Sequence, residues 1–262
     1  MVLQGFFKYK ITMKFTRDQH NLWKALFKRQ LPNVKKFACK EYLIGLNRIG
    51  FPQDRIPTLG FINSKIYPLT GWTAKRTHVR YIDSVPWYRH FMNRDFVVTD
   101  FLRSWKEFEF THEPDMFHDI FGHLPFHTVP EYTKLIESFA PVFLRATRKQ
   151  QDDIKKLAWF SYEFGVIKER EGLKIFGTGL LSSIGEINRV ASGHTPLKPF
   201  TIENVLKRNK AIYTFNEELF FFASIEALQK ELNRYFNTVK KPHKSIRLKK
   251  QNIIDIQMTG IT

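Results

Sequence analysis

Thr111-His-Glu-Pro-Asp-Met-Phe-His118-Asp-Ile-Phe-Gly-His123-Leu-Pro125 sets two histidines five residues apart, between the marks of a helix start and a helix stop. Pro114 suits a first helical position, where its missing N–H would be unpaired in any case, and Asp115 suits the positive end of the helix dipole. A short helix is therefore expected from about 114 to 121. On a continued α-helix each residue turns about 100°, so a spacing of five leaves the imidazoles roughly 140° apart. Gly122 can take the left-handed conformation that ends a helix, and Pro125 disfavours helical geometry at Leu124. The sequence thus predicts a turn at 122 that brings His123 back beside His118. So paired, the two could hold a metal; otherwise they are two of nine histidines that lie close by chance.

Asp152-Asp-Ile-Lys-Lys-Leu-Ala-Trp-Phe-Ser-Tyr-Glu163-Phe-Gly165-Val-Ile reads as a helix over 151–168. Positions three and four either side of Glu163 are Phe160, Trp159, Val166 and Ile167, which puts the carboxylate on an apolar face. A buried, unpaired carboxylate costs several kcal/mol or takes up a proton, so Glu163 needs a partner. A lysine or arginine is one candidate and a metal ion another. Two neutral imidazoles and a carboxylate form the facial ligand set of non-haem Fe(II) oxygenases, which leaves three positions for oxygen and substrate. The same set serves zinc hydrolases. The His-Glu-x-x-His of that class is absent, however, because Asp119 follows His118 and the second histidine arrives one residue late for a shared helix face.

Taken together, Glu-Pro-Asp-x-x-His-Asp-x-x-Gly-His at 113–123, Trp-Phe-x-x-Glu-Phe-Gly at 159–165 and Gly-x-Gly-Leu-Leu-Ser-Ser at 177–183 resemble the catalytic domain of the pterin-dependent aromatic amino acid hydroxylases. The resemblance runs from about Phe15 to about Phe236 and more loosely beyond. It implies that His118, His123 and Glu163 hold Fe(2+). It also implies that Arg103 grips the substrate carboxylate, as a planar fork of donors does well. Thr111, Pro114, Trp159, Gly179 and Ser183 would border the amino acid, and Ser182 would orient a ligand histidine. Ile82, Ser84 and Trp87 would meet a tetrahydropterin such as tetrahydrobiopterin, with Trp87 where the family has phenylalanine. Two departures bear on that cofactor: Ala158 replaces a tyrosine, and Asp119, on the pterin side, replaces a glutamate. The implied reaction is hydroxylation of a free aromatic amino acid by O2, with phenylalanine the first choice. Ser192-Gly-His-Thr-Pro-Leu-Lys-Pro-Phe200 is similar to the matching stretch of tryptophan hydroxylases and keeps tryptophan as the alternative.

Composition sets wider bounds. The chain of 262 residues is long enough for one large core, and 15% aromatic residues suit a pocket for aromatic ligands. No run approaches the ~18 apolar residues of a membrane span. The single cysteine, Cys39, precludes an internal disulfide framework and fits a cytoplasmic protein. A formal charge of +17 raises a different class, a basic nucleic-acid-binding protein. Between Asp83 and Thr133, however, four Lys or Arg face nine Asp or Glu, and the basic residues elsewhere are scattered along helical faces without a nucleic-acid-binding motif. No nucleic acid or membrane partner is expected.

The expected fold is mainly α: a single catalytic domain of packed helices over 15–236, after an extension at 1–14, with a few short strands. Helices are expected near 17–30, 34–49, 85–94, 114–121, 130–147, 151–168, 202–209 and 224–237, with loop structure from Gly50 to Trp72 and a strand at 173–176. Alternation in Ser245-Ile-Arg-Leu and Ile253-Ile-Asp-Ile-Gln around a polar turn predicts a C-terminal β-hairpin. This ribbon, within 237–262, is the expected arm of a homodimer.

Overall fold

Thr16 opens helix α1 (Arg17–Phe37) with a capping box: its hydroxyl accepts from the Gln19 N–H at 3.2 Å and its own N–H donates to the Gln19 side chain at 2.8 Å. In the computed structural model, which describes residues 14–240 apart from 110, 112, 212 and 213, this helix runs on through Pro32. The expected break at 31–33 is therefore wrong. Pro32 and Lys28 are both exposed, so the carbonyl that the proline leaves unpaired lies on the wet side, where water can satisfy it. The chain turns instead at Ala38, and α2 (Lys40–Ile49) follows, closed by Gly50 at φ 62°.

The loop expected from 50 to 72 contains a helix, α3 (Leu59–Thr70). Thr58 caps it through the Phe61 N–H at 3.2 Å, and Ile62 and Ile66 anchor it to the core. Gly71 caps its C-terminal end in the left-handed conformation, and Pro68 is accommodated within its last turn. Strand β1 (Thr73–Thr77) then pairs in parallel with β2 (Asp95–Thr99), and α4 (Ser84–Met92) makes the crossover. Helices α5 (Pro130–Arg145) and α6 (Arg148–Ala158) stand close to their expected places at their N-terminal ends.

A second sheet has the order β4-β3-β6-β5. It consists of β3 (Val166–Glu169), its antiparallel neighbour β4 (Gly172–Ile175), and β5 (Leu197–Pro199) and β6 (Leu219–Phe222), which run parallel to β3. Two helices that periodicity did not reveal, α7 (Thr178–Ser182) and α8 (Ile184–Ala191), lie between the strands, and α9 (Ile202–Leu206) and α10 (Ile225–Phe236) complete the described chain. The helical character with few short strands agrees with expectation. The C-terminal hairpin and residues 1–13 lie outside the described residues.

The core is aromatic, and it backs directly onto the two-histidine segment. Phe117 and Phe121 stack at 4.8 Å and 10°, with Trp23 and Phe27 of α1 edge-on to them at 5.3 and 5.2 Å. The Tyr42 hydroxyl of α2 donates to the Phe121 carbonyl at 2.7 Å. Each such ring adds roughly 1.5–3 kcal/mol by burial, so the segment is held from behind by packing rather than by loop contacts.

Candidate metal centre and its pocket

Residues His118–His123 form a π-helical turn, not a broken α-helix. Its i→i+5 hydrogen bonding places residues five apart on one face, which solves the spacing problem differently from the predicted left-handed Gly122. Gly122 does not have a positive φ, and Leu124 stays helical at φ −66°, ψ −26° although Pro125 follows it. The glycine is needed for another reason: a Cβ there would lie 2.9 Å from the Thr178 carbonyl of α7. The start of the helical run also moves. Pro114 is exposed and non-helical, and Asp115 acts as the cap, accepting from the His118 N–H at 3.0 Å.

The second ligand segment is π-helical as well, over Trp159–Glu163, and it ends there. Val166 and Ile167 belong to β3, so they are not the helical neighbours of Glu163 that the 151–168 reading assumed. Phe164 breaks the helix at φ −132°, and the chain turns into the sheet. The turn leaves the Glu163 carboxylate 18% exposed and facing both histidines.

The three ligand atoms converge. His118 Nε2 and His123 Nε2 are 3.1 Å apart, and Glu163 Oε2 lies 3.9 and 3.5 Å from them. Hydrogen-bond logic fixes the tautomers. The Ser182 hydroxyl has one proton, which it donates to the Thr178 carbonyl at 3.0 Å, so it accepts from His118 Nδ1–H at 2.8 Å. His118 Nε2 is then a lone pair aimed at the centre, and the proton between the two rings sits on His123. A cation held there would take that position, with the His123 proton carried on Nδ1 instead. Thr178 adds a contact that no expectation named: its hydroxyl donates to Glu163 Oε2 at 2.8 Å. The motif Gly-x-Gly-Leu-Leu-Ser-Ser contains it at the variable position, which is why the motif alone does not flag it.

Electrostatics agree with a ligand set. Burial and the neighbouring His123 push the His118 imidazole down to about 4, so it is neutral at pH 7. Burial raises the Glu163 carboxyl, but His123, His118 and the Thr178 hydroxyl outweigh it and hold the group at about 2. The donor set is thus two imidazoles and a carboxylate, and it fits a divalent iron or another ion of like preference. Asp119, by contrast, is pushed up to about 7 by burial, with one oxygen accepting from the Thr99 N–H at 2.8 Å.

A cavity of about 290 Å³ opens on this centre, and all fourteen site residues expected from sequence line it. Arg103 is nearly buried, and one edge of its fork is already bidentate to Asp115, at 2.8 and 2.9 Å. Asp115 therefore couples Arg103 to the cap of the histidine turn. Burial raises the Asp115 carboxyl, and Arg103 more than reverses that. On the opposite wall Trp87 packs against Phe96 at 5.3 Å, and Phe96 in turn against the His123 ring at 4.7 Å. Trp159 leans on Phe164 at 4.4 Å, and the Phe164 ring lies where a Cβ on Gly179 would be, 2.6 Å away. None of residues 192–200 lines the cavity, so the stretch that is similar to tryptophan hydroxylases does not reach it.

The chain matches the family model of biopterin-dependent aromatic amino acid hydroxylases over residues 7–256. It is 35% identical over 192 residues to phenylalanine-4-hydroxylase of Vibrio cholerae, a match that spans 73% of this chain and just under two thirds, 66%, of that relative. The fold superposes on the apo structure of the cold-active phenylalanine hydroxylase of Colwellia psychrerythraea 34H with a TM-score of 0.81 at 31% identity, covering 87% of this chain and 88% of that one. It also superposes on phenylalanine hydroxylase of Chromobacterium violaceum with bound iron(III) and 7,8-dihydrobiopterin, with a TM-score of 0.80 at 28% identity over 86% and 83% of the two chains. Two π-helical turns carrying the ligands, a pocket that gathers every expected residue, and a match over nearly the whole chain lead to one conclusion: this chain belongs to the biopterin-dependent aromatic amino acid hydroxylase family.

Proposed function

We propose that the chain is a monooxygenase that hydroxylates free phenylalanine to tyrosine with O2, using non-haem Fe(II) and a tetrahydropterin. The observation that carries this reading is the convergence of His118, His123 and Glu163 at the floor of an aromatic-lined cavity. When bound, iron and pterin together supply the oxidising power and the electrons that a protein side chain lacks. The chain's own residues position and exclude. The two imidazoles and Glu163 would hold the metal and leave coordination positions open to ligands. Arg103, held by Asp115, offers its remaining N–H groups to the substrate carboxylate, a charge-assisted contact of the stronger kind. Thr111, Pro114, Gly179 and Ser183 shape the amino acid site, and the Trp159 indole borders the substrate ring. Trp87 would offer its face to the pterin, with backbone near Ile82 and Ser84 at the pterin edge and Asp119 also on the pterin side. No protein nucleophile takes part.

Phenylalanine is favoured over tryptophan because the matched relatives above are phenylalanine hydroxylases and because residues 192–200 stay away from the cavity. The catalytic domain spans 15–236, the protein acts in the cytoplasm, and the segment 237–262 joins two copies. Anaerobically iron-loaded protein, supplied with tetrahydropterin and O2 and offered phenylalanine, tyrosine and tryptophan separately, is expected to give tyrosine from phenylalanine fastest. A higher kcat/KM for tryptophan overturns the substrate assignment. The absence of pterin-coupled oxygen uptake with all three overturns the enzyme. Light scattering on the same preparation, with and without residues 237–262, is expected to show dimer and monomer respectively, and an unchanged mass refutes the arm.

A further inference from the structure

The wall of the cavity beyond the metal contains a polar relay that the reaction does not need for electrons or protons. Trp159 Nε1 donates to Asn216 Oδ1 at 2.9 Å, and Asn216 donates to Glu186 Oε1 twice, from Nδ2 at 3.1 Å and from its backbone N–H at 3.4 Å. Asn216 and Glu186 are 1% and 6% exposed, so the relay is effectively dry. It spans three elements that are far apart in sequence: the π-helical turn with Trp159, α8 with Glu186, and the segment before β6 with Asn216.

The direction of the relay follows from hydrogen-bond chemistry. An asparagine amide can present either its oxygen or its NH2 group to a neighbour. An indole N–H can only donate, so Asn216 must turn its oxygen toward Trp159. An ionised carboxylate can only accept, so Glu186 holds the NH2 group on the other side and thereby fixes the orientation. Without the carboxylate, a flipped Asn216 would set two donors against each other in a buried site, at a cost of the order of a lost buried hydrogen bond.

The same indole is bounded on its other sides. Phe164 leans on it at 4.4 Å, and the Lys210 ammonium lies 5.8 Å from the ring centroid. Trp159, Phe164, Glu186 and Lys210 all line the cavity. A shift of the indole would therefore change the shape offered to the substrate ring without touching the metal ligands. We infer that Glu186 is a positioning residue that acts through Asn216 to fix the Trp159 indole, and that this relay sets which aromatic ring the enzyme accepts. The inference rests on the proposal that Trp159 borders the substrate ring.

Two readouts separate the relay from that proposal. The first uses metal-free protein: the emission of Trp159, obtained as the difference between the protein and its Trp159→Phe variant, each made with and without a relay mutation. Glu186→Leu is expected to shift this emission to the red, and Glu186→Gln, which keeps an acceptor for Asn216, to leave it in place. Asn216→Leu removes the indole's acceptor and gives the same red shift if Glu186→Leu does not fold. No shift in the variant that folds, or an equal shift in Glu186→Gln, overturns the relay whether or not the protein is an enzyme. The second readout is the kcat/KM ratio of phenylalanine to tryptophan, expected to change about ten-fold in Glu186→Leu through KM. In a Trp159→Phe background the same mutation should leave the ratio unchanged. A ten-fold change that persists there shows that Glu186 acts elsewhere and refutes its role through Trp159.

Discussion

The metal side and the opposite side of one cavity, where we propose that the pterin binds, are built differently. On the metal side the polar contacts of the ligands are answered by protein: His118 by Ser182, Glu163 by Thr178, and the cap of the histidine turn by Asp115, itself locked to Arg103. Behind these groups stand stacked, fully buried rings. On the opposite side Asp83 makes no capping hydrogen bond to α4, and Tyr81 and Val79 of the neighbouring loop are 64% and 53% exposed. Trp87 is held by ring contacts with Phe91 and Phe96, and Asp119 and Val79 by single hydrogen bonds from Thr99. Metal ligation tolerates deviations of a few tenths of an ångström, so its ligands gain from fixed tautomers and fixed turns. A flat heterocycle that stacks on an indole tolerates more, and its site can be finished by the ligand itself.

The comparison breaks most visibly at the ligands. Glu163→Ala, His118→Ala or His123→Ala should abolish both iron retention and turnover, measured by metal analysis and oxygen uptake; full activity in Glu163→Ala would remove the triad. A smaller loss is expected for Ser182→Ala, which frees the His118 ring to rotate and to change tautomer. Removal of such an orienting partner costs about 10- to 100-fold in metal affinity. An unchanged iron affinity would show that packing alone orients His118. Trp87→Leu should do less and elsewhere: pterin KM rises about three- to ten-fold, as expected for the loss of an aromatic contact, with iron affinity unchanged. A loss of iron in Trp87→Leu would show that the two sides are not independent.

Much of the site could be read from sequence, and the reasons for the exceptions are physical. The ligands were legible because a carboxylate among Trp159 and Phe160 and two closely spaced histidines are costly in an ordinary core. Their backbone was not legible, because π-helical turns lack a residue signature of their own: Gly122 and Pro125 pointed to a helix stop where the chain widens by one residue and continues. Pro32 misled in the same way, since a proline on a wet helix face costs less than its propensity suggests. The α3 helix was hidden by its caps, and α7 and α8 by their brevity. Thr178, Asp115 and Glu186 make their hydrogen bonds to residues 12 to 30 positions away in sequence, and composition or periodicity has no way to register those. Arg103 was legible as a fork of donors, but its existing partner Asp115 was not.

The metal side is complete before the cofactor arrives. An anaerobic titration of metal-free protein with Fe(II), followed by calorimetry with and without tetrahydropterin, tests it directly. One ion per chain, bound with the same affinity in both conditions, is the predicted result. Iron that binds only after pterin is added would contradict it.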